Sequence, residues 1–120
     1  MADTLPPRVL LVEDDPFVAA AMTDLLEHAQ FEVDGPHASL SDGVAALADH
    51  MPDAAILDIG LDGHDVFMLA DDLEQYGIPF LLCSGLPPRG RMKLRFGNHP
   101  FVAKDRTGRE LVSALRDLLH

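Results

Sequence analysis

Arg8-Val9-Leu10-Leu11-Val12-Glu13-Asp14-Asp15-Pro16 is the stretch that decides the fold. After Arg8 the residues are aliphatic or β-branched with no polar alternation. That is the pattern of a strand covered on both faces, as in parallel sheets flanked by helices. The run stops at three successive carboxylates. Asp15 suits a helix N-cap and Pro16 the first helical position. Val18, Ala21, Met22, Leu25, Leu26 and Ala29 then recur at helical spacing. A buried strand, an acidic turn and a helix follow one another within a single unit.

The unit repeats along the chain. Phe31-Glu32-Val33 reads as a short strand closed by Gly35-Pro36, and Ser39 or Ser41 can cap a helix carrying Leu40, Val44, Leu47 and Ala48. Ala54-Ala55-Ile56-Leu57 is another continuous apolar strand, ending at Asp58, and a glycine-containing loop spans 60–64. Val66, Leu69, Ala70, Leu73 and Tyr76 mark a third helix with Gly77 as its C-cap. Ile78 to Cys83 is a fourth strand, ending at Ser84-Gly85. Pro87, Pro88, Gly90 and Gly97 leave room only for a short helix around Arg91–Arg95. Phe101-Val102-Ala103 is a fifth strand ending at Lys104. Thr107 with Glu110 forms a capping box ahead of a last helix striped by Leu111, Leu115 and Leu118. Strands alternating with helices in this way imply an α/β fold with a parallel sheet.

At 120 residues the chain is expected to be one domain, with residues 1–7 a lead-in and 8–120 the folded unit. No apolar run approaches the ~20 residues of a membrane-spanning helix. Met1-Ala2-Asp3-Thr4 lacks the basic-then-apolar order of a secretory signal. Cys83 is the only cysteine, so no internal disulfide can form, and the expected compartment is the cytoplasm. The net charge of -11 disfavours nucleic acid and anionic membrane as partners. Arg8 is the sole basic residue before position 89. The others, Arg89, Arg91, Lys93, Arg95, Lys104, Arg106, Arg109 and Arg116, lie in the last quarter of the chain. They read either as an ordinary solvated surface or as a docking face for an acidic partner.

In sheets of this kind ligands bind beyond the carboxyl ends of the strands. Glu13 and Asp14 end the first strand, Asp58 the third, Ser84 the fourth and Lys104 the fifth. Three carboxylates brought close repel one another unless a proton or a hard cation intervenes. Mg²⁺ favours one or two carboxylates with water and phosphate oxygens. A cation, a lysine and a hydroxyl are the parts that hold a phosphoryl group during transfer. A carboxylate can itself be the nucleophile, and Asp58, alone at the end of an apolar strand, is the candidate. Cys83 reads as inert core. The six histidines show no metal-ligand spacing, although His64 and His99 stand in loops that could border the site. Met22, Met51, Met68 and Met92 read as packing residues.

The chain resembles the receiver domain of two-component response regulators. Val9-Leu10-Leu11-Val12-Glu13-Asp14-Asp15 is similar to that family's opening strand and acidic pair. Ala55-Ile56-Leu57-Asp58-Ile59-Gly60-Leu61-Asp62-Gly63 resembles the segment around its phosphorylated aspartate. Leu82-Cys83-Ser84-Gly85 resembles the Thr/Ser switch strand, and Phe101-Val102-Ala103-Lys104 the aromatic-x-x-Lys strand. The resemblance implies a flavodoxin-like, doubly wound five-stranded parallel sheet of order 2-1-3-4-5, here with a shortened or irregular fourth helix. It implies Mg²⁺ held by Glu13, Asp14, Asp58 and the Gly60 carbonyl, and phosphorylation of Asp58 to an aspartyl phosphate. Ser84 and Lys104 would contact the phosphoryl oxygens. Phe101 would be the aromatic switch that follows Ser84, although by position it reads equally as plain core.

The implied role is a stand-alone phosphorelay signalling domain, not an enzyme with its own catalytic output. Its donor would be a phosphohistidine on a sensor histidine kinase or histidine phosphotransfer protein, and its downstream protein would dock on residues 86–116. Three departures from the family pattern stand out. Asp105 replaces the usual, often cis, proline after the lysine; a trans Lys104–Asp105 bond is expected and could misplace Lys104. Asp62 replaces a loop proline, and residues 85–98 are rich in Pro and Gly. The last implies an unusual output face, while the Asp105 and Asp62 departures keep open a degenerate receiver that binds without phosphorylation. A Mg²⁺-dependent phosphohydrolase with an aspartate nucleophile would want a second aspartate where Gly60 stands.

Overall fold

The computed structural model describes residues 5–59, 63–85, 87–106 and 108–119. Five strands, β1 (Arg8–Val12), β2 (Glu32–His37), β3 (Ala54–Asp58), β4 (Phe80–Ser84) and β5 (Phe101–Ala103), alternate with five helices. The helices are α1 (Pro16–His28), α2 (Leu40–Asp49), α3 (Gly63–Gln75), α4 (Arg91–Phe96) and α5 (Arg109–Leu118). All strand pairs are parallel and the order is β2-β1-β3-β4-β5, as expected.

The unbroken apolar strands are explained by burial on both faces. Leu10, Val12, Ala55, Leu57, Phe80 and Leu82 face a core layer shared with α2, α3 and α4. Val9, Leu11, Ala54, Ile56, Leu81, Cys83 and Val102 face a second layer shared with α1 and α5. Neighbouring strand residues point to opposite faces, so an apolar strand feeds both layers at once.

Several local expectations hold and several need correction. Asp15 caps α1, its Oδ1 accepting from the Phe17 and Val18 amides at 2.9 and 3.3 Å, with Pro16 opening the helix. Ser39 rather than Ser41 caps α2. Gly77, with φ +70°, closes α3 as expected: its amide reaches Glu74 O and the Ile78 amide reaches Leu73 O at 2.8 Å. The same double bond closes α1, where Gln30 and Phe31 donate to Glu27 and Leu26. There the left-handed position, φ 72°, is held by Gln30, a residue with no glycine signal.

β2 does not stop at Gly35-Pro36 but continues to His37, with a register shift against β1. An edge strand tolerates the missing proline amide. Gly35 is needed there, because a Cβ would fall 2.7 Å from the Leu11 carbonyl oxygen at φ +126°. Ala21, Ala48 and Tyr76 are exposed rather than part of the helix stripes, while Ala19 and Gly43 are buried. At Gly43 a Cβ would meet Val12 Cγ2 at 2.9 Å, so the bare backbone lets α2 press onto β1. Met22 and Met92 pack, but Met51 and Met68 are exposed. α5 begins at Arg109 after Gly108; the capping-box residue Thr107 lies outside the described residues.

α4 has only six residues, as its Pro- and Gly-rich surroundings suggested. Packing and ion pairs hold it rather than helix propensity. Phe96 is fully buried, stacks on Phe67 of α3 with centroids 5.4 Å apart, and meets Phe80 edge-on. Arg95 bonds to Asp71 and Glu74 of α3, and His99 bonds to Glu74 while stacking on Phe80. Phe80 opens β4, so His99 sits at the amino edge of the sheet and not beside the carboxyl-edge residues. The helix-to-strand connection delivers it there on the way into β5.

Gln30 and Gly35 give opposite expectations. Gln30→Gly relieves a left-handed side-chain penalty and is expected to raise unfolding stability by roughly 0.5–1 kcal/mol. Gly35→Ala adds a backbone clash and is expected to lower it by about 2 kcal/mol or more. Urea titrations of the two variants against wild type check both signs.

Candidate functional site

Four strands converge on one point at the carboxyl edge of the sheet. β1 runs in register with β3 through Val12 and Leu57, so Glu13 and Asp58 follow at the same level. β3 pairs Asp58 with Cys83, and β4 pairs Ser84 with Ala103. Lys104 is the next residue after Ala103. The register alone therefore brings Glu13, Asp58, Ser84 and Lys104 to one rim.

The side chains meet there. Lys104 Nζ donates to Asp58 Oδ2 at 2.9 Å and to Glu13 Oε2 at 3.1 Å. Both carboxylates are only 2% exposed, and Ser84 is 8% exposed. Glu13 Oε2 also accepts the Asp15 amide at 3.0 Å. The Glu13 backbone amide is held by the His37 carbonyl at 3.0 Å, so the extended β2 braces the acidic turn from behind. Asp14 is exposed, yet one of its oxygens lies with those of Glu13 and Asp58 in a cluster within 4.8 Å. No other such group of ligating side chains occurs among the described residues.

Two charged groups respond to this crowding. Burial, the largest influence, pushes the Glu13 carboxyl above its ordinary value of 4.5. The Asp15 amide and Lys104 pull it back, and the negative Asp58 adds to the rise. Burial acts to lower Lys104, but the hydrogen bonds it donates to Asp58 and Glu13 outweigh it and hold the ammonium firmly charged. Next to them, burial and the Glu13 charge push the Cys83 thiol up to about 12. An inert thiol fits its expected place in the core.

Glu13 Oε1 is buried without a hydrogen-bond partner among the described residues. An unmet buried carboxylate oxygen costs more than the ~1–3 kcal/mol of a neutral polar group. It lies in the one three-carboxylate cluster among the described residues. A hard divalent cation fits this donor set: it takes oxygen ligands, removes the mutual repulsion of the acids and satisfies the stranded oxygen. Gly60 and Asp62 lie outside the described residues, as do the side chains of His64 and Arg106. Phe101 is half-buried, pairs in register with Leu82, and packs on the α3–α4 side of the sheet. By strand alternation it shares that face with Ser84.

The Lys104–Asp105 bond is not among the cis bonds, and Lys104 nevertheless reaches Asp58. The residues after Lys104 form a single tight helical turn, Lys104–Arg106, which leaves the lysine pointing inward without proline. Two of the eight late basic residues are thus engaged internally, Lys104 here and Arg95 of α4 with the α3 acids Asp71 and Glu74. Neither engagement could be seen in the charge count.

The sequence matches the response regulator receiver domain family over residues 9–116. It is 29% identical over 116 residues to the virulence-factor positive transcription regulator BvgA of Bordetella pertussis, covering 93% of this chain and 56% of that protein. The chain therefore spans about half the length of the curated relatives it matches. Among solved structures it is similar to the signal receiver domain of a modulated diguanylate cyclase from Desulfovibrio desulfuricans G20. That likeness has a TM-score of 0.84 and 26% identity, covering 96% of this chain and 94% of the other. It is also similar to SdrG of Pseudomonas melonis Fr1 in its BeF3-activated conformation. There the TM-score is 0.78 with 30% identity over 94% of this chain and 96% of the other.

The burial of Glu13 has a direct pH consequence. Its pKa is raised in the fold, so the folded state holds the proton more tightly than the unfolded state. The stabilisation is complete below 4.5 and is lost as pH rises through the higher folded value. With divalent cations chelated, Glu13→Gln is expected to raise Tm at neutral pH by a few degrees and to flatten the fall in Tm between acidic and neutral pH. Thermal scans across that range check it.

Proposed function

The chain belongs to the response regulator receiver domain family, a signalling family of two-component systems, and from that premise we propose that it is a phosphoacceptor with Asp58 as the phosphorylated residue. The observation that carries the reading is the junction of buried Asp58, buried Glu13 and Lys104, with Asp14 at its open side. The donor we infer is a phosphohistidine on a sensor histidine kinase or histidine phosphotransfer protein, met in the cytoplasm. No helix among the described residues is long and apolar enough to cross a membrane.

In the proposed transfer an Asp58 carboxylate oxygen attacks phosphorus. The P–N bond to the donor imidazole breaks, and its electron pair stays on the ring nitrogen. Glu13, Asp14 and Asp58, together with the Gly60 carbonyl, would hold Mg²⁺, whose charge would offset that of the phosphoryl oxygens. Lys104 is preorganised at hydrogen-bond distance from Asp58 and can shift its donors to those oxygens as they arrive. Ser84, at the end of the neighbouring strand, offers a hydroxyl. Its movement toward the phosphoryl group would open space for Phe101 on the shared face, carrying the change to residues 86–116, where a downstream protein would dock.

A non-phosphorylated binding role drew support from the Asp105 and Asp62 departures; the 2.9 Å contact of Lys104 with Asp58 speaks against the first of these. A phosphohydrolase lacks a second acid, since Gly60 stands two residues after Asp58.

Incubation with acetyl phosphate and Mg²⁺ is expected to add one phosphoryl group, acid-stable and base-labile, that Asp58→Asn abolishes; intact-mass spectrometry reads it. Lys104→Ala is expected to slow labelling by about 10²-fold or more. Labelling that persists in Asp58→Asn would place the nucleophile elsewhere.

Metal binding is tested separately. Mg²⁺ is expected to raise Tm by mass action, and Asp14→Ala to remove most of that gain. Equal Mg²⁺ stabilisation in both proteins would sink the ligand assignment.

A further inference from the structure

Asp34-Gly35-Pro36-His37 forms a bulge in the edge strand beside the acidic turn. On β1 one residue separates Leu10 from Val12, whereas on β2 two residues separate their partners Asp34 and His37. The extra residue bends β2 and carries its end past the end of β1. That extension puts the His37 carbonyl 3.0 Å from the Glu13 amide nitrogen. Little backbone structure holds the bulge in place. β2 is the outermost strand, so no further strand pairs with it from outside. Pro36 has no amide to contribute, and Gly35, at φ +126°, has no side chain to pack.

A side-chain bond closes the bulge instead. His37 Nε2 and Asp34 Oδ1 lie 3.0 Å apart. A carboxylate only accepts, so the ring nitrogen facing it carries the hydrogen. The bond joins the last residue in register before the bulge to the first one after it. The ring passes over bare Gly35, where a Cβ would meet ring Cδ2 at 3.0 Å. Both side chains are partly buried, so water competes less for this bond than at an open surface pair.

Glu13 has three holds, and they differ in kind. The His37 carbonyl holds its backbone amide, while the Asp15 amide and Lys104 hold Oε2. In the transfer proposed for Asp58, Lys104 turns its donors toward the phosphoryl oxygens. The Asp15 amide and the His37 carbonyl then remain, and only the carbonyl fixes the backbone. Asp14 follows Glu13 directly, so its place depends on the same backbone. A Mg²⁺ ion is sensitive to such placement, because its oxygen ligands must converge with near-ideal geometry.

We propose that Asp34 and His37 are positioning residues, whose bond across the β2 bulge fixes the Glu13 backbone and thereby sets the Mg²⁺ affinity of the carboxylate cluster. Neither residue is a ligand; both act through the His37 carbonyl. The proposal rests on the metal part of the phosphoacceptor reading and needs no phosphorylation.

The test titrates the full, unphosphorylated, ¹⁵N-labelled chain with MgCl₂ and follows amide shifts around Asp14 and Asp58. Hydrogen exchange of the Glu13 amide is measured in the same samples without metal. His37→Ala is expected to weaken Mg²⁺ binding by about tenfold, the low end for loss of a group that orients a metal ligand. It is also expected to speed Glu13 amide exchange several-fold. His37→Gln, whose side-chain amide can donate to Asp34, is expected to return both readings to within about twofold of wild type. Asp34→Ala is expected to match His37→Ala, and the double variant to be no worse than either, because one bond is lost in all three. His50→Ala breaks the open His50–Asp49 pair on the neighbouring helix end and is expected to change Mg²⁺ affinity by less than about twofold.

Charge alone predicts a different pattern. Loss of the Asp34 carboxylate would weaken cation binding, whereas loss of the imidazole would leave it unchanged or tighten it. Unchanged or tighter Mg²⁺ binding by His37→Ala therefore overturns the proposal. So does a His37→Gln variant as impaired as His37→Ala, additive losses in the double variant, or unaltered Glu13 amide exchange. Failure of the wild-type chain to bind Mg²⁺ overturns it together with the metal reading. Normal Mg²⁺ binding without acetyl-phosphate labelling, with the variants behaving as expected, supports the proposal and counts against the phosphoacceptor reading alone.

Discussion

Lys104 joining buried Asp58 to buried Glu13 is the contact on which the rest of the molecule depends. Two carboxylates that are almost wholly buried repel each other strongly in so small a space unless a cation stands between them. The lysine supplies one positive charge, and the stranded Glu13 oxygen leaves a place for another. To form this contact, β1, β3 and β5 must end at the same level although they are far apart in sequence. The parallel register, carried through Leu57, Cys83 and Ala103, provides that alignment. The two apolar layers hold the register, because a one-residue slip would turn each strand's side chains to the wrong face.

The same junction trades stability against chemistry. A buried acid with a raised pKa destabilises the fold at neutral pH, and the gain is a carboxylate cluster preorganised around one point. Local devices reinforce the geometry. The Asp15 cap fixes the start of α1 and lends its amide to Glu13, while the continuation of β2 through Gly35-Pro36 lets His37 brace the Glu13 amide.

On the far side of the sheet the architecture is leaner. α4 is too short to stand by its own hydrogen bonds, so Phe96, Arg95 and His99 bind it to α3 and β4. That economy explains why charge counting misread this region. It treated eight late cations as one group, whereas tertiary contacts withdraw Arg95 and Lys104 and leave a smaller exposed set on α4.

Much of the fold was legible in the chain because its signals are local. Continuous apolar runs ending in polar residues mark buried parallel strands, and Asp15-Pro16, Ser39 and Gly77 mark helix ends through their own backbone chemistry. The candidate residues Glu13, Asp14, Asp58, Ser84 and Lys104 were legible for the same reason, since each directly follows or ends such a run. What tertiary structure decided lay in contacts between distant segments. Gln30 at a left-handed position, the length of β2, the burial of Gly43 and the inward turn of Lys104 despite Asp105 all depend on neighbours that sequence spacing does not reveal. So does the division of cations between site, clamp and surface. Charge and pattern are properties of residues, whereas pairing is a property of distance, and distance exists only once the chain is folded.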